Sequence, residues 1–166
     1  MKTYKEFINE GLINKMVAKS DEQINKSFNE LSDLDKIEVV INNQLPDGLL
    51  PKNLIVTGEL NLSHKELTSL PDNLDGLTVN GKLDLSFNEL TSLPNNMTIN
   101  GDLVVIGNPL NSLPNNLVVT GNFLCTNNKL TSLPDDLVVD GWFYCGGNQL
   151  PKNIKKPIGV KHIRWE

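Results

Sequence analysis

The chain predicts an α/β repeat fold, mostly β: a solenoid built on a parallel sheet, with a helical cap at its N-terminal end. Three periodicities predict it. Pro94, Pro114 and Pro134 stand 20 residues apart, and so do Gly101, Gly121 and Gly141. Asn88, Asn108, Asn128 and Asn148 keep the same step. Self-similarity at a fixed spacing of this size marks stacked units, since one unit cannot bury its own apolar face alone. The repeats occupy residues 51–150 in five copies, the second running longer, from Pro71 to Pro94.

Each copy contains an L-x-L run, and alternation along a strand sends one side chain inward and the next outward. The expected inward columns are Leu60, Leu83, Leu103, Phe123 and Phe143, and Leu62, Leu85, Val105, Cys125 and Cys145. The run before each glycine alternates as well (Leu117-Val-Val119, Leu137-Val-Val139), which predicts a second short strand per turn. The asparagine column falls where the chain leaves the strand, and an inward carboxamide there bonds the amides that the bend leaves unpaired. Asn88, Asn108, Asn128 and Asn148 are thus an expected structural ladder, broken in the first copy by Lys65, whose bend is expected to be looser or more exposed. Glycine before each strand predicts a left-handed turn or a tight corner. Leu-Pro ends each copy because proline sets φ and lacks a donor. The longer second copy reads as a loop at Asp75–Gly76 bulging from one turn.

The copies share L-x-V-x-G-x-L-x-L-x-x-N-x-L-T-S-L-P over residues 51–150. This resembles the leucine-rich repeat, in the short Leu-Pro-ended form of type III secretion effectors of enteric bacteria and some phage proteins. The chain departs from that family at one position: Asn80, Asn100, Thr120 and Asp140 stand where the family has leucine, and the apolar residue comes one place earlier, at Val79, Ile99, Val119 and Val139. The resemblance implies a concave binding face made by the outward strand residues. Those columns are Glu59, Lys82, Asp102, Asn122 and Trp142; then Asn61, Asp84, Val104, Leu124 and Tyr144; then Ser63, Ser86, Ile106, Thr126 and Gly146. Val104, Ile106, Leu124, Trp142 and Tyr144 would form one apolar patch, the expected partner-binding site, since exposed patches and aromatic residues mark contact surfaces. Three coverings are open: a protein partner, residues 151–166, or a second copy of the chain.

Length and charge narrow the function. A chain of 166 residues supports one domain with a real core. Its net charge of −5 argues against a general nucleic-acid binder. Residues 151–166 hold Lys152, Lys155, Lys156, Lys161 and Arg164 against Glu166, a net +4, while residues 1–150 carry −9. Such a tail binds either the acidic body or an acidic partner. Cys125 and Cys145 read as buried reduced thiols; a disulfide between adjacent coils is geometrically conceivable but needs an oxidising compartment. With His64 and His162 far apart in the chain they make no zinc signature. Asp135, Asp136 and Asp140 read as solvated loop residues rather than calcium ligands. No apolar run approaches the roughly 18 residues of a membrane span. No nucleophile has a placed histidine, and no phosphate loop or HExxH pattern occurs. The effectors of similar repeat type carry a separate ligase domain with a catalytic cysteine, for which this chain has no room. No enzymatic activity, cofactor or metal is therefore expected.

At the N-terminus, Tyr4, Phe7, Ile8, Leu12, Ile13, Met16 and Val17 have helical spacing, and Thr3 with Glu6 forms a capping-box pattern. Residues 1–19 are expected to form a leader helix. MKTY-x-EFI-x-E resembles the capsid-targeting leader of internal head proteins in T-even-type phages. That family is cut after a short Ile/Leu-x-Glu sequence, which here implies Ile8, Asn9 and Glu10 with cleavage before Gly11. Ser20-Asp-Glu-Gln23 is a second capping-box pattern, and residues 20–50 are expected to cap the open end of the solenoid. The tail, 151–166, is expected to add a strand at the other end, with Trp165 packed down.

Together these readings give a non-enzymatic protein-binding module, phage-encoded and acting on a host protein through its concave face, as a monomer or weak dimer with no nucleic-acid or membrane partner. The alternative is an internal head protein packaged through its leader. The corresponding locations are the host cytoplasm and the virion head, without a secretory signal peptide.

Overall fold

The chain is seen as a computed structural model that describes residues 53–71 and 74–165. The expected leader helix of 1–19, the cleavage residues Ile8, Glu10 and Gly11, and the expected cap of 20–50 lie outside the described residues. Among the described residues there is no α-helix.

Each turn of the repeat contributes two short strands. The first gives β1 (Ile55–Thr57) and β2 (Leu60–Asn61), the second β3 (Thr78–Asn80) and β4 (Leu83–Asp84), and the third β5 (Thr98–Ile99) and β6 (Leu103–Val104). The fourth gives β7 (Val118–Val119) and β8 (Phe123–Leu124), the fifth β9 (Val138–Val139) and β10 (Trp142–Tyr144), and the tail β11 (His162–Arg164). The odd strands β1 to β9 form a five-stranded sheet in chain order. The even strands, with β11 added beside β10, form a six-stranded one. Every pairing is parallel. The described residues thus form a parallel β-solenoid of about five turns, and the run before each glycine is a strand of its own, as expected.

The two sheets face each other across the apolar columns. Leu83 pairs with Leu60, Leu103 with Leu83, Phe123 with Leu103 and Phe143 with Phe123 in register. Val56, Val79, Ile99, Val119 and Val139 line the opposite wall, and Leu90, Leu110 and Leu130 fill the side between. All are essentially without solvent contact. Phe123 and Phe143 meet at 5.4 Å between ring centroids. Each such side chain contributes roughly 1.5–3 kcal/mol by leaving water. The one-place shift of the apolar residue puts Val79, Ile99, Val119 and Val139 inside and leaves Asn80, Asn100, Thr120 and Asp140 exposed. Cys125 and Cys145 are free thiols in the core. Burial, with the neighbouring Cys145, holds the Cys125 thiol well above its ordinary value, and burial pushes Cys145 up to about 11.

The asparagine column joins consecutive bends. The Asn108 carboxamide donates to Val105 O of its own turn at 3.1 Å and to Leu85 O of the preceding turn at 3.0 Å. Its oxygen accepts the Leu90 N–H at 3.1 Å. Asn128 repeats this with Cys125 O, Val105 O and Leu110 N–H, and Asn148 with Cys145 O, Cys125 O and Leu130 N–H. Asn88 accepts from both Lys65 N–H (2.9 Å) and Leu67 N–H (3.1 Å), so the bend that lacks its own asparagine is completed by the next turn. That first bend is exposed and holds two left-handed residues, His64 and Glu66.

One expectation is resolved and two are corrected. Of its two alternatives, the glycine before each even strand makes the tight corner and not the left-handed turn, except Gly58 with φ +100°. A methyl group on Gly81 would lie 2.5 Å from Gly58 O, and one on Gly101 would lie 2.6 Å from the Gly81 carbonyl, so close rung-to-rung approach excludes a Cβ. Asp75–Gly76 is not the bulging insertion. Gly76 N–H donates to Asn95 O as Asn96 N–H donates to Asn115 O, so Gly76 holds the Asn96 position of its turn. The extra length precedes it and brings one more buried leucine, Leu74. The tail does form a strand, but Trp165 is 38 % exposed rather than packed down, because no later turn among the described residues covers its column.

Asn108→Ala strands two carbonyls and an N–H in a buried bend, at about 1–3 kcal/mol for each group left unpaired. Urea unfolding should show a loss of about 3 kcal/mol or more, against less than about 0.5 kcal/mol for the exposed Asn111→Ala. Gly101→Ala forces two backbones apart and is expected to cost at least about 2 kcal/mol. Gly58→Ala, with nothing within 4 Å of the new methyl, carries only the strain of its φ and should lower the melting temperature less.

Candidate binding face

The outward face of the six-stranded sheet changes character along the stack. At the β2–β4 end it is polar and internally satisfied. Asn61 Oδ1 accepts from the Ser63 hydroxyl (2.7 Å) and N–H (3.0 Å), and Asp84 Oδ1 takes the same two bonds from Ser86. Lys82 lies 2.9 Å from Asp84 and 3.7 Å from Glu59. Its hydrogen bond to Asp84 raises the Lys82 ammonium. Burial alone would raise the Asp84 carboxyl, but the Ser86 hydroxyl and Lys82 outweigh it and hold the group below the ordinary carboxylate value.

At the β8–β11 end the face is aromatic and basic. The register sets Val104 beside Leu124, Leu124 beside Tyr144, and Tyr144 beside Arg164. Trp142 and Tyr144 lie two residues apart on β10, so alternation puts both rings on this face, 6.1 Å apart and inclined by 18°. His162 meets the Trp142 ring at 4.8 Å, and the Arg164 guanidinium carbon sits 4.7 Å over it. A cation above an indole face is a favourable contact of about 0.5–2 kcal/mol.

Of the expected patch, Leu124, Trp142 and Tyr144 are half-buried, as is Ile106, while Val104 is buried. The patch is therefore narrower than the sequence suggests. With strands about 4.8 Å apart, neighbouring side chains cover one another, and Val104 is flanked by Asp84 and Leu124. The tail does not lie across the patch. It extends the sheet by one strand and brings His162 and Arg164 onto the same face. Sequence reasoning did not place these two residues there, although the step of 20 from Phe143 to the apolar Ile163 marks His-Ile-Arg as a further rung.

A second exposed aromatic was also missed. Phe87 is left-handed (φ 54°), 53 % exposed, and stacked on His64 at 4.7 Å. A bulky residue in that region is uncommon. Its ring lies against Gly107, where a Cβ would come within 2.9 Å of it. The signal was its position, one before the asparagine column, where Gly107, Asn127 and Gly147 also have positive φ.

The remaining candidates are dispersed. Asp135 is exposed and pairs with Lys155 of the tail at 2.8 Å, whose hydrogen bond lowers its carboxyl below the usual value. Asp136 accepts the Asn116 N–H at 2.8 Å, and Asp140 is exposed. A recess of about 180 Å³ lies between Leu133–Asp135 and the tail at Pro151, Ile154, Lys155 and Lys156, away from the aromatic face. Among the described residues, no three metal-ligating side chains come together, and no helix is long and apolar enough to cross a membrane. The chain matches no protein-family model, and no curated protein sequence matches it.

Proposed function

We propose that the chain is a leucine-rich-repeat protein of the short Leu-Pro-ended type, phage-encoded, which binds a host protein without catalysing a reaction. The carrying observation is the aromatic and basic end of the six-stranded sheet, where Leu124, Trp142 and Tyr144 are half-buried beside His162 and Arg164. Rigid aromatic rings lose little entropy on contact, and Trp, Tyr and Arg dominate interface energetics. Arg164, on this face and without a carboxylate partner among the described residues, favours a partner surface bearing carboxylates. The polar end, whose charges already satisfy one another, makes the rim.

Affinity purification from infected cells, run in parallel with the wild-type chain and a Leu124→Ser/Trp142→Ser/Tyr144→Ser variant of unchanged circular dichroism, tests the face. At least one host protein should be lost with the variant, since truncating an aromatic anchor costs about 2 kcal/mol, roughly thirtyfold in affinity. Retention of every partner by the variant rejects the face.

A second reading rests on Ile8, Glu10 and Gly11, whose surroundings resemble a capsid-targeting leader. It makes the protein an internal component of the phage head. Mass spectrometry of purified virions should then find the chain beginning at Gly11. Its absence, or an intact Met1 start, removes this reading.

A further inference from the structure

We infer that Asn100 is a site of spontaneous covalent modification, where the following glycine amide attacks the side chain and turns the asparagine into aspartate or isoaspartate. This lies beyond the face-binding reading: it concerns the corner that leaves the five-stranded sheet, and it needs no partner protein.

The sequence supplies the reacting pair. Asparagine stands directly before glycine at two places, Asn80–Gly81 and Asn100–Gly101. A glycine nitrogen approaches the preceding carboxamide without a side chain in the way, and its backbone turns easily. Both asparagines are exposed, so water reaches the site. The buried Asn108 and Asn128 are followed instead by proline and lysine.

The structure separates the two places. A peptide plane moves as a unit, so bringing the glycine nitrogen to the asparagine Cγ requires rotation about the asparagine Cα–C bond. Asn80 belongs to β3, and its carbonyl accepts the Gly58 N–H at 3.1 Å, which pins that plane. This bond comes from a left-handed glycine, Gly58. Gly81 is not left-handed and makes no such bond to the Asn100 carbonyl. Asn100 also stands one residue beyond β5. Its side chain is tied by Nδ2, which donates to Asn80 Oδ1 at 2.7 Å. That tie is exposed, and exposed bonds open locally. Asn80 is therefore a latch on Asn100.

With the latch open, the Gly101 nitrogen bonds to Cγ of Asn100 and gives up its proton. The Cγ–Nδ2 bond breaks, and Nδ2 takes up a proton and leaves as ammonia. One water molecule then opens either ring C–N bond. Opening one way gives aspartate, to which the Asn80 carboxamide can turn and donate. Opening the other way gives isoaspartate, which adds a carbon to the main chain. A methyl group on Gly101 would already lie 2.6 Å from the Gly81 carbonyl, so the stack has no room for that carbon.

The test incubates the full chain in mildly alkaline buffer, folded or in urea, and follows each site by peptide mass spectrometry. In the folded chain Asn100 is expected to convert at least about tenfold faster than Asn80, and in urea the two should convert at nearly equal rates. Asn80→Ala removes the latch, leaves the main-chain bond to Gly58 in place, and should speed conversion of Asn100 severalfold. Chain enriched in isoaspartate at position 100 should melt at least about 3 °C below the Asn100→Asp variant. Conversion of Asn80 as fast as Asn100 in the folded chain, a ratio that urea leaves unchanged, or an unchanged Asn100 rate in Asn80→Ala overturns the proposal. So does an Asn100 that stays intact when folded while the urea sample converts.

Discussion

One carboxamide per turn holds the bends of this solenoid. A bend leaves carbonyl and amide groups inside the stack where water cannot reach them, and each costs about 1–3 kcal/mol if unpaired. Asn88, Asn108 and Asn128 bury their side chains to answer that cost, each bonding its own turn and the turn before it. The unit is therefore never self-sufficient. Turn n is finished only when turn n+1 arrives, which is why Lys65 is tolerated in the first described bend: Asn88 already completes it. The leucine columns supply most of the favourable energy, and a slip by one residue would point leucines and asparagines alike to solvent; the asparagines would in addition leave buried backbone groups unpaired.

Holding one register for five turns has a consequence outside the core. Every surface position stacks on its own equivalent, so a repeated acid would stack on itself. Glu66 and Glu89 do repeat in this way, but columns on the other side of the turn avoid it. Asp75 stands over Asn95, whose N–H it accepts, Asn95 over Asn115, and Asp135 over Lys155. Asn100 donates to Asn80, Asn116 donates to Asn96, and Asp136 accepts from Asn116. Acids are separated by neutral amides or matched with a lysine. An acidic protein, −9 over residues 1–150, can thus be stacked without like charges in contact along these columns.

Most of the described architecture was legible from spacing, because a step of 20 fixes which side chains meet before any coordinate is known. The columns of Leu60 and Val79 follow from alternation and repetition alone. What was not legible depended on distance rather than pattern. A recurring glycine reads the same whether it relieves φ or admits a neighbouring carbonyl, and only the close approach of Gly81 to Gly58 separates the two. Asp75–Gly76 has the composition of an inserted turn but holds the ordinary place of Asn95–Asn96, and the extra residues are spent on Leu74. On the candidate face, Val104 was assigned to an exposed patch from its outward parity, yet outward on a sheet is not exposed when both flanking side chains lean over it. His162 and Arg164 were hidden because the tail lacks the Leu-x-x-Asn motif that announces a turn, although its alternation continues.

The two ends of the six-stranded sheet therefore differ in what they leave unspent. Near β2 and β4, Lys82, Asp84, Ser86 and Asn61 form closed local networks, and bringing a partner there would require breaking bonds already made. Near β10 and β11, the side chains gather by stacking, which leaves polar capacity intact. The Arg164 guanidinium rests on the Trp142 ring, an interaction that uses its face and none of its five N–H donors. Arg164 has no carboxylate partner among the described residues, while the only described tail cation with one is Lys155. A pre-stacked aromatic base with an unengaged guanidinium costs little further ordering on contact, and it can still bond a planar carboxylate through two parallel N–H groups. A partner at this end would thus add interactions where one at the other end would exchange them, which is the physical ground for testing the last turns of the stack first.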